Sequence, residues 1–558
     1  MARAVKAKPA PPPPALPAPA PTWLRPTLLA LTTLLLLTWF TGEIADTDIW
    51  LHLMTGRHTQ EHRALTVPDP FSYTSSINSA AYPGEAKTRY FNLTHEWLAQ
   101  AAMYVIHSAT GFPGLVLVRA LLLLIFCGLV GLMVWWRTAG FYRSLAAATA
   151  AGAVAINFQQ SRPFLITFVL LAVTMALLER RRWMWALPAV FLVWANCHGG
   201  YFMGWAMLGA YCLEQLVRRT PWPAQRQLWM VSAACFLVSG INPNGFRVIE
   251  IMLRYRSSGI QSINLEWQYP AFWEPSGYSF VLFGALVMLA ISWRKTRPVD
   301  WILYFVFGAA SLLAVRNTIL MGLVGAVLMF AYLPQWKRAI PAVAEFAATA
   351  LLVAAIGFGL RGGSAFQLHA AEWMLPSGAA DFLKQHQVSG RIFNTYENGG
   401  YLVWRLWPLQ KDFIDPRGLS EQAFIDYGHI LNNDPTPGQS APEMLQKYGI
   451  DVLVMGGFDR FSGQVYNIAA ALSDPSQKEW KLVQSDDKGV VFMRQPPPGV
   501  QPLNSLEALH SIEMQCRQQV EHDPLHPACA RGLGDLFNLI GDRARAQQWM
   551  VYYNAHLR

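Results

Sequence analysis

Long apolar runs separated by short basic clusters fill the chain from Trp23 to Leu360, and beyond that point the pattern changes. A helix needs about 20 apolar residues to cross the hydrocarbon of a bilayer, fewer when its ends are interfacial. That measure predicts spans at 24–43, 113–135, 144–160, 163–179, 183–198, 201–217, 228–241, 277–293, 299–315, 317–334 and 341–360, about eleven in all. The segment EWLAQAAMYVIHSATG, 96–111, is short and apolar on one side, which predicts a helix lying in the interface. From Asp48, the positions Asp48, His52, Thr55, Thr59 and His62 recur at steps of three and four opposite Ile49, Trp50, Leu53 and Met54. They predict an amphipathic helix lying on the membrane.

Past Leu360 the runs shorten. GAADFLKQ and APEMLQKYG read as helices, and RIFNTY, YLVWRLW, KDFID, DVLVMGG and GVVFMRQ as strands, with ENGGYL a glycine turn joining two of them. Such alternation predicts an α/β domain over 361–495. QPPPG marks a linker, 496–502, and 503–558 reads as helices ending in one tetratricopeptide-like (TPR-like) unit with a turn at Gly541-Asp542. One such unit cannot bury its own face and must pack on the preceding helix, the α/β domain or another protein. At the other end, PAPPPPALPAPAP cannot be helical, so 1–23 reads as an extended cytoplasmic tail.

Composition fixes the class. Of 558 residues 53% are hydrophobic and 14% charged, which describes a mainly α, polytopic membrane protein. The net charge of +9 comes from clusters at alternate ends of the apolar runs: Arg3/Lys6/Lys8/Arg25, Arg137/Arg143, Arg180/Arg181/Arg182, Arg218/Arg219/Arg226, Arg294/Lys295/Arg297 and Lys337/Arg338. That is the signature of membrane orientation, not of nucleic-acid binding, and it puts these clusters in the cytoplasm. The segments 46–96, with the first outer loop spanning 44–112, then 159–162, 198–201, 242–274, 316–317 and everything after Leu360 then share the opposite face. In a bacterium this means an inner-membrane protein with a cytoplasmic N-terminus and a periplasmic C-terminus. Of six cysteines only Cys516 and Cys529 lie in polar sequence, free to pair if their compartment is oxidising.

The shared outer rim gathers the candidate chemistry. Asp46, Asp48 and His52 stand at the foot of the first span; His95 and Glu96 open the helix that returns to the bilayer. Arg162, His198, Glu266, Arg316 and Asn317 occupy later outer connections. Each has a plainer reading: acids at helix starts are caps, arginines beside spans snorkel, and HGGY and NPNG are turns. HTQEH, 58–62, has the inverted zinc-protease spacing but no third ligand, and reads as a solvated face.

The order ADTDIWLHL after the first span, an interfacial helix, a turn, HEWLAQ, then a span containing VRALLLL resembles the GT-C superfamily of membrane glycosyltransferases. That group includes protein O-mannosyltransferases and lipid A aminoarabinose transferases. The DPFSYT, HEWL and HGG segments also resemble bacterial proteins with a comparable outer domain. The resemblance implies transfer of a sugar from a polyprenyl-phosphate donor in the membrane to a periplasmic glycan, lipid or protein. Transfer needs a base for the acceptor proton and cations for the departing phosphate. Asp48 is the expected base, with Asp46 the alternate base or, with Asp48, a ligand to a divalent cation (Mg or Mn). Arg162 and Arg316 are the expected phosphate holders; His52, His95, Glu96, His198, Glu266 and Asn317 complete the substrate-binding set. Where many relatives carry adjacent Asp-Glu this chain has DTD, and SRPFL carries Phe164 where some carry an acid, which leaves one-acid and metal-dependent mechanisms both open. A lipid-linked sugar transporter would place ionisable residues inside several spans, whereas here they gather at outer ends. A non-catalytic scaffold for envelope polysaccharide assembly is supported by the tail alone, through a protein partner.

Overall fold

A computed structural model describes residues 21–255, 265–334, 341–460, 462–524 and 526–557. Most of the Pro/Ala-rich tail and the Lys337/Arg338 cluster lie outside them. A helix stands at each segment predicted to span. Among the described residues three are long and apolar enough to cross a membrane: Glu85–Thr138, Val315–Tyr332 and Ala342–Arg361. Leu24–Phe40, Met184–Cys197, Gly277–Ile291 and Pro298–Leu312 are apolar but shorter.

The helix Trp97–Thr138 is broken at Gly111, whose φ of 67° and ψ of −160° leave the helical region, two residues before Pro113. Glycine takes that backbone without a Cβ penalty and proline withdraws an amide, so the kink is sequence-encoded. It separates an outer stretch, 97–110, from the bundle. At the far end of the bundle Arg137 and Arg297 share Glu179 and Asp300 at 2.7–3.0 Å. Four charges so paired, from the fully buried Asp300 to the partly exposed Arg297, tolerate an apolar surround that would reject Asp300 alone.

The helix Asp48–His62 forms where the periodicity predicts, but not as a polar-faced surface helix. All residues from Ile49 to Gly56 are buried. On one side it meets the outer stretch of Trp97–Thr138, where a Cβ on Gly56 would fall 2.1 Å from the Gln100 carbonyl oxygen. On another it meets helix Gly399–Leu406 of the C-terminal domain, with the Trp50 and Tyr401 rings 5.1 Å apart. The domain covers the side of Trp50 and Met54, which periodicity assigned to the membrane.

That domain carries strands β1 (Arg391–Asn394), β2 (Ile450–Met455), β3 (Lys481–Ser485) and β4 (Val490–Met493) in the order β1-β2-β4-β3. β1 and β2 are parallel and the other pairs antiparallel. YLVWRLW is therefore helix rather than strand: Tyr401, Leu402, Val403 and Leu406 bury one helical side after the short turn Tyr396–Asn398. ENGGYL thus joins a strand to a helix, because Gly399 and Gly400 let that helix sit against the Ile414 carbonyl and Leu51. KDFID makes a single bridge, Ser72 to Asp412, which ties the first outer loop to the domain. Strand β3 and the helices Glu421–Leu431 and Asn467–Ser473 were not anticipated. Beyond the linker stand helices Glu507–His522, Ala528–Leu539 and Arg543–His556. Their Ile512, Leu533, Phe537 and Trp549 share one core with Leu482 and Phe492 of the sheet, and Cys516 and Cys529 form a disulfide.

Candidate active site

The loop leaving helix Leu24–Phe40 is held from behind by Arg119. This arginine, 1% exposed, donates to the carbonyls of Phe40 (3.2 Å), Gly42, Glu43 (3.5 Å) and Gln159 (2.5 Å). It thereby fixes two outer loops against each other, one bearing Asp46 and the other Arg162. A charge inside the apolar run VRALLLL was the available signal for this positioning residue.

Arg162 then crosses between them. Its Nε and Nη2 each donate to Asp46 at 2.6 Å, a two-pronged pair, while Nη1 lies 3.0 Å from Asp48 Oδ2 and 3.2 Å from Glu266 Oε1. Three carboxylates around one guanidinium leave a net negative centre. The two aspartates are not equivalent. The Asp46 side chain is 6% exposed and the Asp48 side chain 19%. Burial pushes both up, but the paired Arg162 bonds hold Asp46 below the ordinary carboxylate range. Asp48 is raised to about 7 by burial, only partly offset by Arg162, with Asp46, Glu266 and Glu96 adding repulsion. Asp48 is therefore the carboxylate poised to exchange a proton near neutrality.

Beside this centre Glu96 faces three imidazoles: His95 Nε2 at 3.4 Å, His52 Nδ1 at 3.7 Å and His198 Nε2 at 3.9 Å. Gln100, one turn on from Glu96, donates to His52 Nδ1 at 3.2 Å. The sequence did not single out Gln100, although its four-residue step from Glu96 was visible.

A cavity of about 90 Å³ opens next to the cluster, with His198, Glu266, Arg316 and Asn317 among its walls and Phe164, Phe168, Leu320 and Leu323 as apolar lining. Arg316 stacks on Trp267, its guanidinium carbon 4.8 Å from the ring centre, and has no carboxylate partner among the described residues. Asn317 is held by the Ala310 carbonyl at 3.0 Å. All ten residues singled out in the sequence thus converge on one end of the bundle. The two arginines expected to hold phosphate differ in their surroundings. Arg162 is occupied by Asp46, Asp48 and Glu266, so Arg316 is the cation left for an incoming anion.

The same geometry tests Mg or Mn binding at Asp46 and Asp48. Such ions need several carboxylate and water oxygens in near-octahedral array. Here Arg162 takes both Asp46 oxygens and the near Asp48 oxygen, so the pair does not fit that ligand set. The C-terminal domain also reaches the site through Tyr396, whose phenol is raised by burial and by the charges of Asp48 and Asp415. No sequence feature distinguished Tyr396.

No family model and no curated protein matches the chain. Solved structures do. The oligosaccharyltransferase of Archaeoglobus fulgidus in its apo form superposes with a TM-score of 0.51 at 10% identity, covering 90% of this chain and 78% of that one. The chain has the GT-C fold. The archaeal oligosaccharyltransferase AglB from A. fulgidus, in complex with an inhibitory peptide and a dolichol-phosphate, matches at TM-score 0.50 and 11% identity, over 88% and 78% of the two chains. ArnT from Cupriavidus metallidurans, bound to undecaprenyl phosphate, aligns at 0.44 and 15%, over 86% and 99%. At these identities the likeness is one of fold, and within the GT-C fold of this chain the chemistry rests on its own residues.

Proposed function

We propose that this protein is a membrane glycosyltransferase that moves a sugar from a polyprenyl-phosphate carrier to a hydroxyl acceptor outside the bacterial cytoplasmic membrane. The observation that carries the reading is the division of labour between Asp48 and Arg316. A carboxylate near neutrality is linked through Arg162 to Glu266, which lines an apolar-walled cavity whose Arg316, without a carboxylate partner among the described residues, suits a lipid phosphate. A GT-C-fold oligosaccharyltransferase in complex with a dolichol-phosphate supports the donor class.

In this mechanism the prenyl chain lies along the phenylalanines and leucines of the cavity, and Arg316 and Asn317 hold the phosphate. The acceptor oxygen attacks the anomeric carbon, the bond from that carbon to the phosphate oxygen breaks, and the acceptor proton passes to Asp48. The charge that develops on the leaving phosphate meets Arg316, a preorganised cation. Arg162 keeps Asp46 ionised and Asp48 aimed. The disulfide Cys516–Cys529 supports an oxidising, periplasmic location for the C-terminal part, and the one-sided basic clusters support a cytoplasmic N-terminus. The α/β domain and the TPR-like tail then flank the site on the acceptor side, and the tail's outer face is the surface for a protein partner.

Asp48→Asn in membrane vesicles supplied with lipid-linked sugar is expected to lower transfer by about 10²- to 10⁴-fold, the usual cost of removing a general base. Transfer at the wild-type rate in that variant overturns the assignment.

A further inference from the structure

The cavity beside the acid cluster has polar groups in its walls that the proton and phosphate steps leave unused. Glu266 is drawn to Arg162 at 3.2 Å, Thr167 Oγ1 is shared between Trp194 Nε1 and His198 Nδ1, each at 2.8 Å, and Asn317 donates to the Ala310 carbonyl at 3.0 Å. Arg316 is the group that meets the leaving phosphate. Two carboxamides remain, Asn157 and Gln160, both in the walls and both without a side-chain hydrogen bond among the described residues. Asn157 is exposed, whereas the Gln160 amide oxygen is buried.

A buried amide oxygen without a donor forfeits a hydrogen bond that it had in water, so its place in a cavity wall calls for a partner. The backbone beneath it is fixed. The Gln159 carbonyl accepts from Arg119 at 2.5 Å and the Gln160 carbonyl from the Arg162 amide at 3.0 Å. A Cβ on Gly42 would fall 3.0 Å from Gln159 Oε1, so the loop after the first helix closes on the same connection. The Gln160 side chain is thus untethered on a tethered backbone, free to turn toward a ligand in the cavity it borders. Arg162, two residues on, meets Asp48 at 3.0 Å. A sugar reacting between Arg316 and Asp48 therefore borders this connection.

A primary carboxamide offers one acceptor and two donors in one plane and carries no charge. That edge matches two neighbouring substituents on a sugar ring, one donating and one accepting. Charged rings fit worse. Three carboxylates around one guanidinium repel a uronate, and the wall acid Glu266 is already engaged by Arg162, so a ring ammonium finds no free counter-charge in the wall. We propose that Asn157 and Gln160 select the donor sugar by hydrogen bonding and favour an uncharged ring with vicinal hydroxyls or with a hydroxyl beside an acetamido group. The selection rests on the transferase reading, which supplies the sugar.

The test is binding of synthetic short-chain prenyl phosphodiesters to the full-length protein in detergent, read by tryptophan fluorescence, since Trp267 lies under Arg316. The probes carry glucose, N-acetylglucosamine, glucuronate or an amino sugar, and prenyl methyl phosphate supplies the diester charge without a sugar. In the wild type one or both neutral sugars should bind about tenfold tighter than the methyl ester and than either charged sugar, and the tighter neutral probe tells a hydroxyl pair from an acetamido group. That comparison needs no variant to fold. In Gln160→Met the preference should fall to about threefold or less, and Asn157→Leu should reduce it too. Each protein is measured against its own affinity for the methyl ester, so a general loss of packing does not mimic the result. Equal binding of neutral and charged probes by the wild type, or a preference kept in full by Gln160→Met, overturns the proposal and leaves the transferase reading standing. A wild type that binds none of the probes, prenyl methyl phosphate included, overturns both.

Discussion

Asp48 and Asp46 are two residues apart and differ by which charges they meet. The Arg162 fork grips Asp46 by both oxygens, whereas Asp48 receives one contact and feels the negative charges of Asp46, Glu266 and Glu96. A base must be ionised to act, so transfer should be lost as pH falls through about 7 and hold a plateau above it. Glu266→Gln removes one of the charges that raise Asp48 and is expected to move the acid limb to lower pH, read from the pH dependence of kcat/KM. An acid limb that stays near 7 in this variant assigns it to another group. The acids, imidazoles and arginines were legible individually, and charge asymmetry of the short connections gathered them on one side. What no pattern could supply was their pairing. That Arg162 is taken up by Asp46 across 116 positions, leaving Arg316 without a carboxylate partner among the described residues, is a product of packing alone.

The helix Asp48–His62 owes its position to Gly56. Any side chain there meets the Gln100 backbone at 2.1 Å and Tyr104 at 2.9 Å. Gln100 cannot retreat freely, because its amide also touches His52 and Glu96. Gly56→Ala should therefore cost about 1–3 kcal/mol, the range of core overpacking, measured as a lowered denaturation midpoint in detergent. Unchanged stability would mean that the two helices pass farther apart than described. Among elements, long apolar runs were the most legible, since length and composition specify a buried helix without tertiary help. The short ones were not. YLVWRLW is as apolar as a strand, and its helical state depends on the close approach of Gly399 and Gly400 to Ile414 and Leu51. The membrane-lying reading of 48–62 differs for a related reason, because the side of Trp50 and Met54, expected to lie on lipid, is covered by a domain more than 300 positions away.

At the scale of the molecule, the loop that follows the first helix and the C-terminal domain are one joined body. Ile49, Trp50 and Leu53 share a core with Ile392, Leu402 and Val491, and Asp412 exchanges backbone bonds with Phe71 and Tyr73 of the outer loop. Asp412 sits in that joint with neither carboxylate oxygen hydrogen-bonded among the described residues, beside Asp415 and Arg417. Arg417 is committed to Asp69 and Asp415 at 2.8 and 2.5 Å, so it offsets the Asp412 charge only in part. Burial and the Asp415 charge raise its carboxyl well above the ordinary value of 3.8, which keeps it protonated in the folded chain. The sign follows from linkage. Because the folded value lies above the unfolded one, the protonated carboxyl favours folding fully below 3.8, and that advantage drains away as pH rises and the unfolded chain ionises. Asp412→Asn keeps the neutral shape without that drain. It should raise the unfolding temperature at pH 7 more than at pH 4, and it should slow hydrogen exchange across both the loop at 69–74 and the bridging segment at 412–415. Equal shifts at the two pH values would mean that Asp412 is already ionised in the joint and that another contact closes the domain over the site.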